Sequence, residues 1–377
     1  MFDVFQVAEL LVDNVKEKYE NEVCIVAYYG SCATGEATDT SDLDMFYIPD
    51  DGKSVPLYAS FTFKELPFEF WPVTWKFAES IALGKQSYAV APALIANAKI
   101  LYSRSETDLK RFTSLQEDII DMQKPEHKSI LLKEALEIYK TVPFHFEKLV
   151  RSIRISDVSS IRVSALEFLN VSIDCLSLIN QTYFDRAWWV NSEKLLRLEK
   201  RPLNLLELVR TISVSNDFEM IENAAQSLKD NIRELLVTEQ KHIDDDHTFQ
   251  DVFSGYYPGV VEYVNKILSA CKKMDDIAVF AAATTLQKEI SLMLSKSFDK
   301  GDFSSFNIYN EYRNSFDEHD LPDISSNILR GDFGSMLDQI KRLEVQMRML
   351  FEGNQVSLNR FDEISELSRF IKENTEA

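Results

Sequence analysis

The sequence is poor in the residues that punctuate loop-rich folds. Ten Gly and ten Pro in 377 positions speak against a glycine-turned barrel and against a disordered tail. Four Cys (Cys24, Cys32, Cys175, Cys271) are scattered without a Cys-x-x-Cys pair, which excludes a recognisable zinc site and fits free thiols in a reducing compartment. The five His (His127, His145, His242, His247, His319) show no HxH or HExxH spacing and read as surface or capping residues. No stretch approaches the roughly 18 uninterrupted apolar residues of a membrane span, since even residues 81–102 are broken by polar side chains and Pro. The first nineteen residues carry Asp3, Glu9, Asp13 and Glu17, unlike a secretory signal, so a cytoplasmic protein without a membrane partner is expected. Positive charge is also scarce: 41 Lys and Arg face 61 Asp and Glu, a net charge of −20. Such a surface repels a phosphate backbone and disfavours general nucleic-acid binding, while cationic partners carry no penalty.

What is present divides unevenly along the chain. Residues 1–128 mix helix and strand patterns and hold 21 acids against 12 bases, whereas the remainder is helical in pattern throughout. An amphipathic helix over residues 4–19 precedes a buried, β-branched strand, Val23–Tyr29, which runs into Gly30-Ser31. A second strand ends at Asp44–Pro49, and Ser60–Val73 reads as a third extended segment interrupted at Pro67. Helices are expected over residues 75–82 and 89–98, then a short strand at 99–102. The fold class is therefore α+β, a small mixed sheet followed by a mainly helical part. Three domains are expected, 1–125, 126–245 and 246–377, the last boundary lying in the acidic, aperiodic segment 241–251. Asp244-Asp245-Asp246 in that segment lacks EF-hand spacing and reads as solvated linker.

The chemistry concentrates after the first strand. Ten residues past Ser31 come Asp42-Leu43-Asp44 on the second strand, and side-chain alternation puts both carboxylates on one face with Leu43 and Met45 on the other. Converging carboxylates repel unless a cation lies between them, and an all-oxygen donor set suits Mg²⁺. Gly30, lacking a side chain, allows a phosphate to approach, and Ser31 offers backbone and hydroxyl donors. A third carboxylate for metal binding or proton transfer is expected from Glu69, with Glu65, four residues earlier, in reserve.

An apolar residue, Gly-Ser, about ten residues, Asp-apolar-Asp-apolar and a later acid resemble the DNA polymerase β-like nucleotidyltransferase superfamily over residues 20–105. Residues 68–84 and 164–209 resemble, more loosely, the kanamycin or aminoglycoside nucleotidyltransferase type, extending the likeness to about residue 240. The resemblance implies that Asp42, Asp44 and Glu69 hold Mg²⁺, and that Gly30, Ser31 and Ser41 bind a nucleoside triphosphate, with ATP as donor. It further implies transfer of a nucleoside monophosphate to a hydroxyl of a small, cationic acceptor such as an aminoglycoside. Similar enzymes often carry Arg after Gly-Ser where this chain has Thr34, so Lys76 is named as a substitute phosphate contact. A helical-domain Glu serves as general base in the kanamycin type, which points here to Glu137, with Glu69 or an Asp of the pair as alternatives. The same resemblance carries a homodimer completing its sites across the interface. A protein or RNA acceptor, as in toxin-type members, and a non-catalytic interaction protein keeping the fold stand as the competing readings.

Overall fold

The computed structural model describes residues 3–38, 41–240, 248–298 and 316–375. The chain gathers into two compact units, Met1–Glu239 and Gln240–Ala377. The expected boundary at 245/246, the acidic triplet and His242 and His247 lie outside the described residues.

The first unit is α+β. Helix α1 (Phe5–Lys18) leads into β1 (Val23–Tyr29), the short α2 (Gly30–Thr34) and β2 (Leu43–Pro49). The strands β3 (Ala59–Phe63), β4 (Leu66–Pro72) and β5 (Lys99–Ser103) complete a five-stranded sheet of order β3-β4-β2-β1-β5. Only the β2–β4 pair is parallel. Both faces are covered, which explains why β1 is apolar almost end to end rather than alternating. On one face Val26, Met45, Tyr47 and Phe70 pack against Val7, Val12 and Val15 of α1. On the other, Ala27, Phe46 and Ile48 pack against α3 (Trp75–Ala82), α4 (Ala91–Ala96) and α5 (Glu106–Asp121). Along β2, Leu43, Met45 and Tyr47 thus serve one core and Phe46 and Ile48 the other; Asp44 takes the last position of that second row, where the helices no longer cover the sheet.

Helices α6 (Lys128–Tyr139), α7 (Val142–Arg154), α8 (Val158–Ile179), α9 (Leu205–Val214) and α10 (Phe218–Gln240) follow residue 125. They belong to the same compact unit as the sheet. The second unit is helical among its described residues: α11 (Phe249–Phe253), α12 (Tyr257–Lys272), α13 (Asp276–Phe298), α14 (Phe333–Gly353) and α15 (Ile364–Thr375). By length and composition α13 could cross a membrane. Its Val279, Ala283, Leu286, Ile290 and Leu294 instead fill the core of this unit against α12 and α14.

Two elements differ from the sequence pattern. The single extended segment 60–73 is a β3–β4 hairpin whose two-residue turn, Lys64-Glu65, has φ of 49° and 62°. A reversal between residues 63 and 66 breaks the i, i+4 relation, so Glu65 sits in the turn and not beside Glu69. Second, α5 has no counterpart among the expected helices, although Ser105 caps it by accepting from the Asp108 N–H and Phe112, Leu115 and Ile119 fall at i, i+3, i+7. The turn geometry is that of a primed hairpin, which Asn-Gly fits without left-handed strain. Replacing Lys64→Asn together with Glu65→Gly raises unfolding stability by about 1 kcal/mol in urea titrations; an unchanged or lower midpoint contradicts the turn assignment.

Candidate active site

Sheet register builds the site. Tyr29 on β1 pairs with Asp44 on β2, Asp44 with Glu69 on β4, and Glu69 with Ser60 on β3, so four residues from four strands form one lateral row. Residues in one row of aligned strands put their side chains on a common face. The parallel β2–β4 pairing is what brings Asp44 and Glu69, 25 residues apart, together.

Gly30 follows Tyr29 directly, with φ of 70°, and begins α2. A Cβ placed on it would stand 2.6 Å from Asp44 Oδ2, so the missing side chain is what lets that carboxylate lie against the β1–α2 turn. The turn is closed locally: Thr34 Oγ1 donates toward the Gly30 and Ser31 carbonyls at 3.3 Å, and Gly35 caps α2 in the left-handed region at φ 77°. Cys32 Sγ, 3.3 Å from the Asp42 carbonyl oxygen, ties the start of β2 to the same turn. Ser31 is buried beneath it.

Electrostatics record the convergence. The Asp44 carboxyl is pushed up to about 6, first by burial, then by the charges of Asp42 and Glu69, against a smaller downward pull from Arg186. The Tyr29 phenol is pushed up to about 12 by burial and by Asp44, and its oxygen accepts from Trp71 Nε1 at 3.3 Å. Glu69 is exposed, next to Ser60 of the edge strand, and its Oε1 accepts from the Tyr58 hydroxyl at 3.4 Å. Asp42 and Glu69 therefore both act on Asp44. They are not, however, drawn into a closed ligand set: among the described residues no three His, Cys, Asp or Glu are gathered closely enough to hold a metal ion. Mutual repulsion opposes tighter gathering of these acids. The donor chemistry still fits Mg²⁺, which takes one or two carboxylates and completes its shell with water and phosphate oxygens.

The remaining expected residues divide. Ser41's hydroxyl is taken by the Thr38 backbone N–H at 2.8 Å, so it shapes the loop. Lys76 is misplaced for a phosphate: β4 carries the chain past the Tyr47–Pro72 pair before α3 starts, leaving the row behind at the opposite end of the strands. Its neighbour Trp75 lies under Arg111, which pairs at 2.8 Å with Asp51 beyond the far end of β2. Glu137 is exposed on α6 and engaged by Lys140 at 2.6 Å; the acids acting on Asp44 are Asp42 and Glu69.

The cations come from a segment absent from the expected set. α8 and the chain after it are tied to the loop before α4: the buried Asp174 of α8 accepts from Ser87 Oγ and the Ala89 N–H, both at 2.9 Å. The Phe184 N–H donates to the Ala89 carbonyl at 2.7 Å and Asn97 Nδ2 to Asp185 at 3.1 Å. These bonds fix residues 184–186, and so Arg186, where its charge reaches Asp44. Beside it opens a cavity of about 280 Å³, lined by Arg186 and Lys194, the rings of Phe184 and Trp188, and Glu36 just after α2. Lys194 lies 3.9 Å from both Glu36 and Asp185, at the long end of ion pairing. Trp188 is buried with its Nε1 donating to Asn170, and Trp189 is exposed. A basic residue between two aromatics in Phe184–Trp188 was the available sequence signal.

No family model matches the sequence, and no curated protein matches it. Among solved structures, a nucleotidyltransferase-like protein from Exiguobacterium sibiricum is similar over 65% of this chain and 84% of its own, with 11% identity and a TM-score of 0.38.

The raised Asp44 carboxyl has a definite sign. The folded chain holds more protons than the unfolded chain between the ordinary value of 3.8 and about 6, so this group's contribution to stability falls as pH rises through that window. Without divalent cation, Asp44→Asn is more stable than the native chain at pH 8 by about 1–2 kcal/mol, a figure reduced because the carboxyl is partly exposed, and the gain disappears at pH 4. Urea unfolding at the two pH values measures it; a destabilised variant at pH 8 contradicts the convergence. Gly30→Ala pushes Asp44 out of place and forces a left-handed alanine costing about 1 kcal/mol. Its urea midpoint falls accordingly, while in an Asp44→Ala background, which lacks the clashing carboxylate, Gly30→Ala costs less than in the native chain.

Proposed function

We propose that the chain is a nucleotidyltransferase, moving a nucleoside monophosphate from a nucleoside triphosphate to a hydroxyl of an acceptor and releasing pyrophosphate. The observation that carries this reading is the Tyr29–Asp44–Glu69 row with Gly30 against Asp44. Such a row gathers negative charge where a phosphate-binding turn ends, an arrangement that a cation bound to triphosphate resolves and that water alone does not. Asp42 and Asp44 would hold Mg²⁺, with Glu69 at the edge of its shell; the ion neutralises charge that builds on the α-phosphoryl oxygens and on the leaving group. Gly30 and Ser31 leave room and donors for the β- and γ-phosphates. Arg186 and Lys194 supply the positive charge that Thr34 lacks, and the Phe184 and Trp188 rings border the same cavity.

Glu69 is the proposed proton acceptor. It is the exposed acid of the row, reachable by an acceptor hydroxyl, and Tyr58 orients it. As the acceptor oxygen bonds to the α-phosphorus, its proton passes to Glu69 and the α–β bridging P–O bond breaks, the electron pair leaving with pyrophosphate. ATP is the proposed donor and an amine-bearing small molecule, aminoglycoside-like, the proposed acceptor, since the acids around the row favour a cationic ligand.

The test is pyrophosphate release from ATP and Mg²⁺ across a panel of aminoglycosides and other amino-alcohols. The reading expects release that depends on one acceptor and falls by at least about 100-fold in Asp42→Asn. Silence across the panel, combined with no rise in melting temperature on adding Mg²⁺–ATP, overturns it. In an active pair, Arg186→Gln raises KM for ATP by about tenfold with a smaller change in kcat, because it removes ground-state phosphate binding; an unchanged KM removes Arg186 from the site.

A further inference from the structure

The second unit has a cleft of its own. About 730 Å³ lies between α12 and α14 and the segment that follows α14. That volume is in the range of small-molecule sites. Its apolar wall is Val261, Val264, Leu268, Val345 and Leu358, and its polar positions include Lys341, Arg348 and Arg360.

The charge here runs against the rest of the unit. Residues 240–377 hold 24 Asp and Glu against 15 Lys and Arg, net −9, yet this cleft is lined by three cations and one acid, Glu344. Glu344 precedes Arg348 by one helical turn, the spacing and order at which the two would ordinarily pair. The Glu344 carboxylate instead accepts from the hydroxyl of Tyr257, whose side chain reaches across from α12. Arg348 from α14 and Arg360 from the segment after it both line the cleft, and the charge of each acts on that same hydroxyl. Among the described residues no ion pair engages Lys341, Arg348 or Arg360.

We propose that this cleft binds a small organic anion with an apolar body, a carboxylate or phosphate monoester whose charged group sits between Arg348 and Arg360 and whose hydrocarbon part lies on Val264, Leu268 and Val345. Two guanidinium forks lining one cleft suit the paired oxygens of such a group, and Glu344 is engaged by Tyr257 instead of by Arg348. The apolar wall adds affinity that a bare inorganic anion cannot use. The site is separate from the acidic row and stands whether or not nucleotidyl transfer is upheld.

The experiment uses the full chain and the fluorescent probe 8-anilinonaphthalene-1-sulfonate, displaced by octanoate or octyl phosphate, with octanol and octylamine as neutral and cationic controls. Displacement by the two anions at concentrations at least about tenfold below those needed with octanol is expected. Arg348→Gln and Arg360→Gln, checked for native helicity and melting temperature, each weaken octanoate by about tenfold, while Val345→Glu, placing an acid on the wall, does the same without touching an Arg. Equal displacement by octanol, or unchanged affinity in both Gln variants, overturns the proposal. Co-sedimentation with anionic phospholipid vesicles that Arg348→Gln abolishes would assign the anion to a lipid headgroup; octanoate binding without co-sedimentation assigns it to a free small molecule.

Discussion

Repulsion among Asp42, Asp44 and Glu69 is the constraint around which the first unit is organised. Asp44 and Glu69 are brought to one row by strand register, with Asp42 just before β2, and strand register is enforced by cores on both faces of the sheet. A one-residue slip of β2 would bury Asp44 and expose Met45, so the packing that stabilises the sheet also holds the acids in their unfavourable company. Gly30 completes the constraint from the side by giving Asp44 the space a Cβ would occupy. The raised Asp44 carboxyl is the record of that cost in the cation-free chain.

Positive charge reaches the row from the helical part of the unit. Asp174 binds the loop at Ser87 and Ala89, Ala89 binds Phe184, and Asn97 binds Asp185, a chain of contacts that holds the segment carrying Arg186. Lys194 follows in the same cavity wall. Asp44 on its strand and Arg186 on a helix-bounded segment thus act on each other within one compact unit. A triphosphate with a divalent ion has the complementary distribution, anionic oxygens around a cation, and under the proposed reading each half of the site meets its counterpart.

The parts of this arrangement that follow local rules were legible in the sequence. Asp44 takes the position on β2 that alternation with Leu43 and Met45 expects, and the unbroken apolar run Val23–Tyr29 announced a strand covered on both sides. The α+β class followed from the switch in periodicity near residue 128. Non-local facts were harder to see. That β4 lies parallel to β2, with Glu69 opposite Asp44, is a matter of topology, and Glu65 failed as a substitute because two left-handed residues turn the chain there. Lys76 lies in the first turn of α3, which the parallel pairing of β2 and β4 carries away from the row. Arg186, more than 140 residues from Asp44, becomes a neighbour only through the Asp174 and Ala89 contacts, which no spacing rule reports.

The central claim is that the acidic row is a divalent-cation site completed by a nucleotide. Electron paramagnetic resonance of Mn²⁺, titrated into the native chain with and without a non-hydrolysable ATP analogue, addresses it directly. The account predicts that the analogue creates bound Mn²⁺ in the native chain and that Asp44→Asn weakens this binding by at least about tenfold. Equal Mn²⁺ binding by the two proteins, with or without nucleotide, would contradict it.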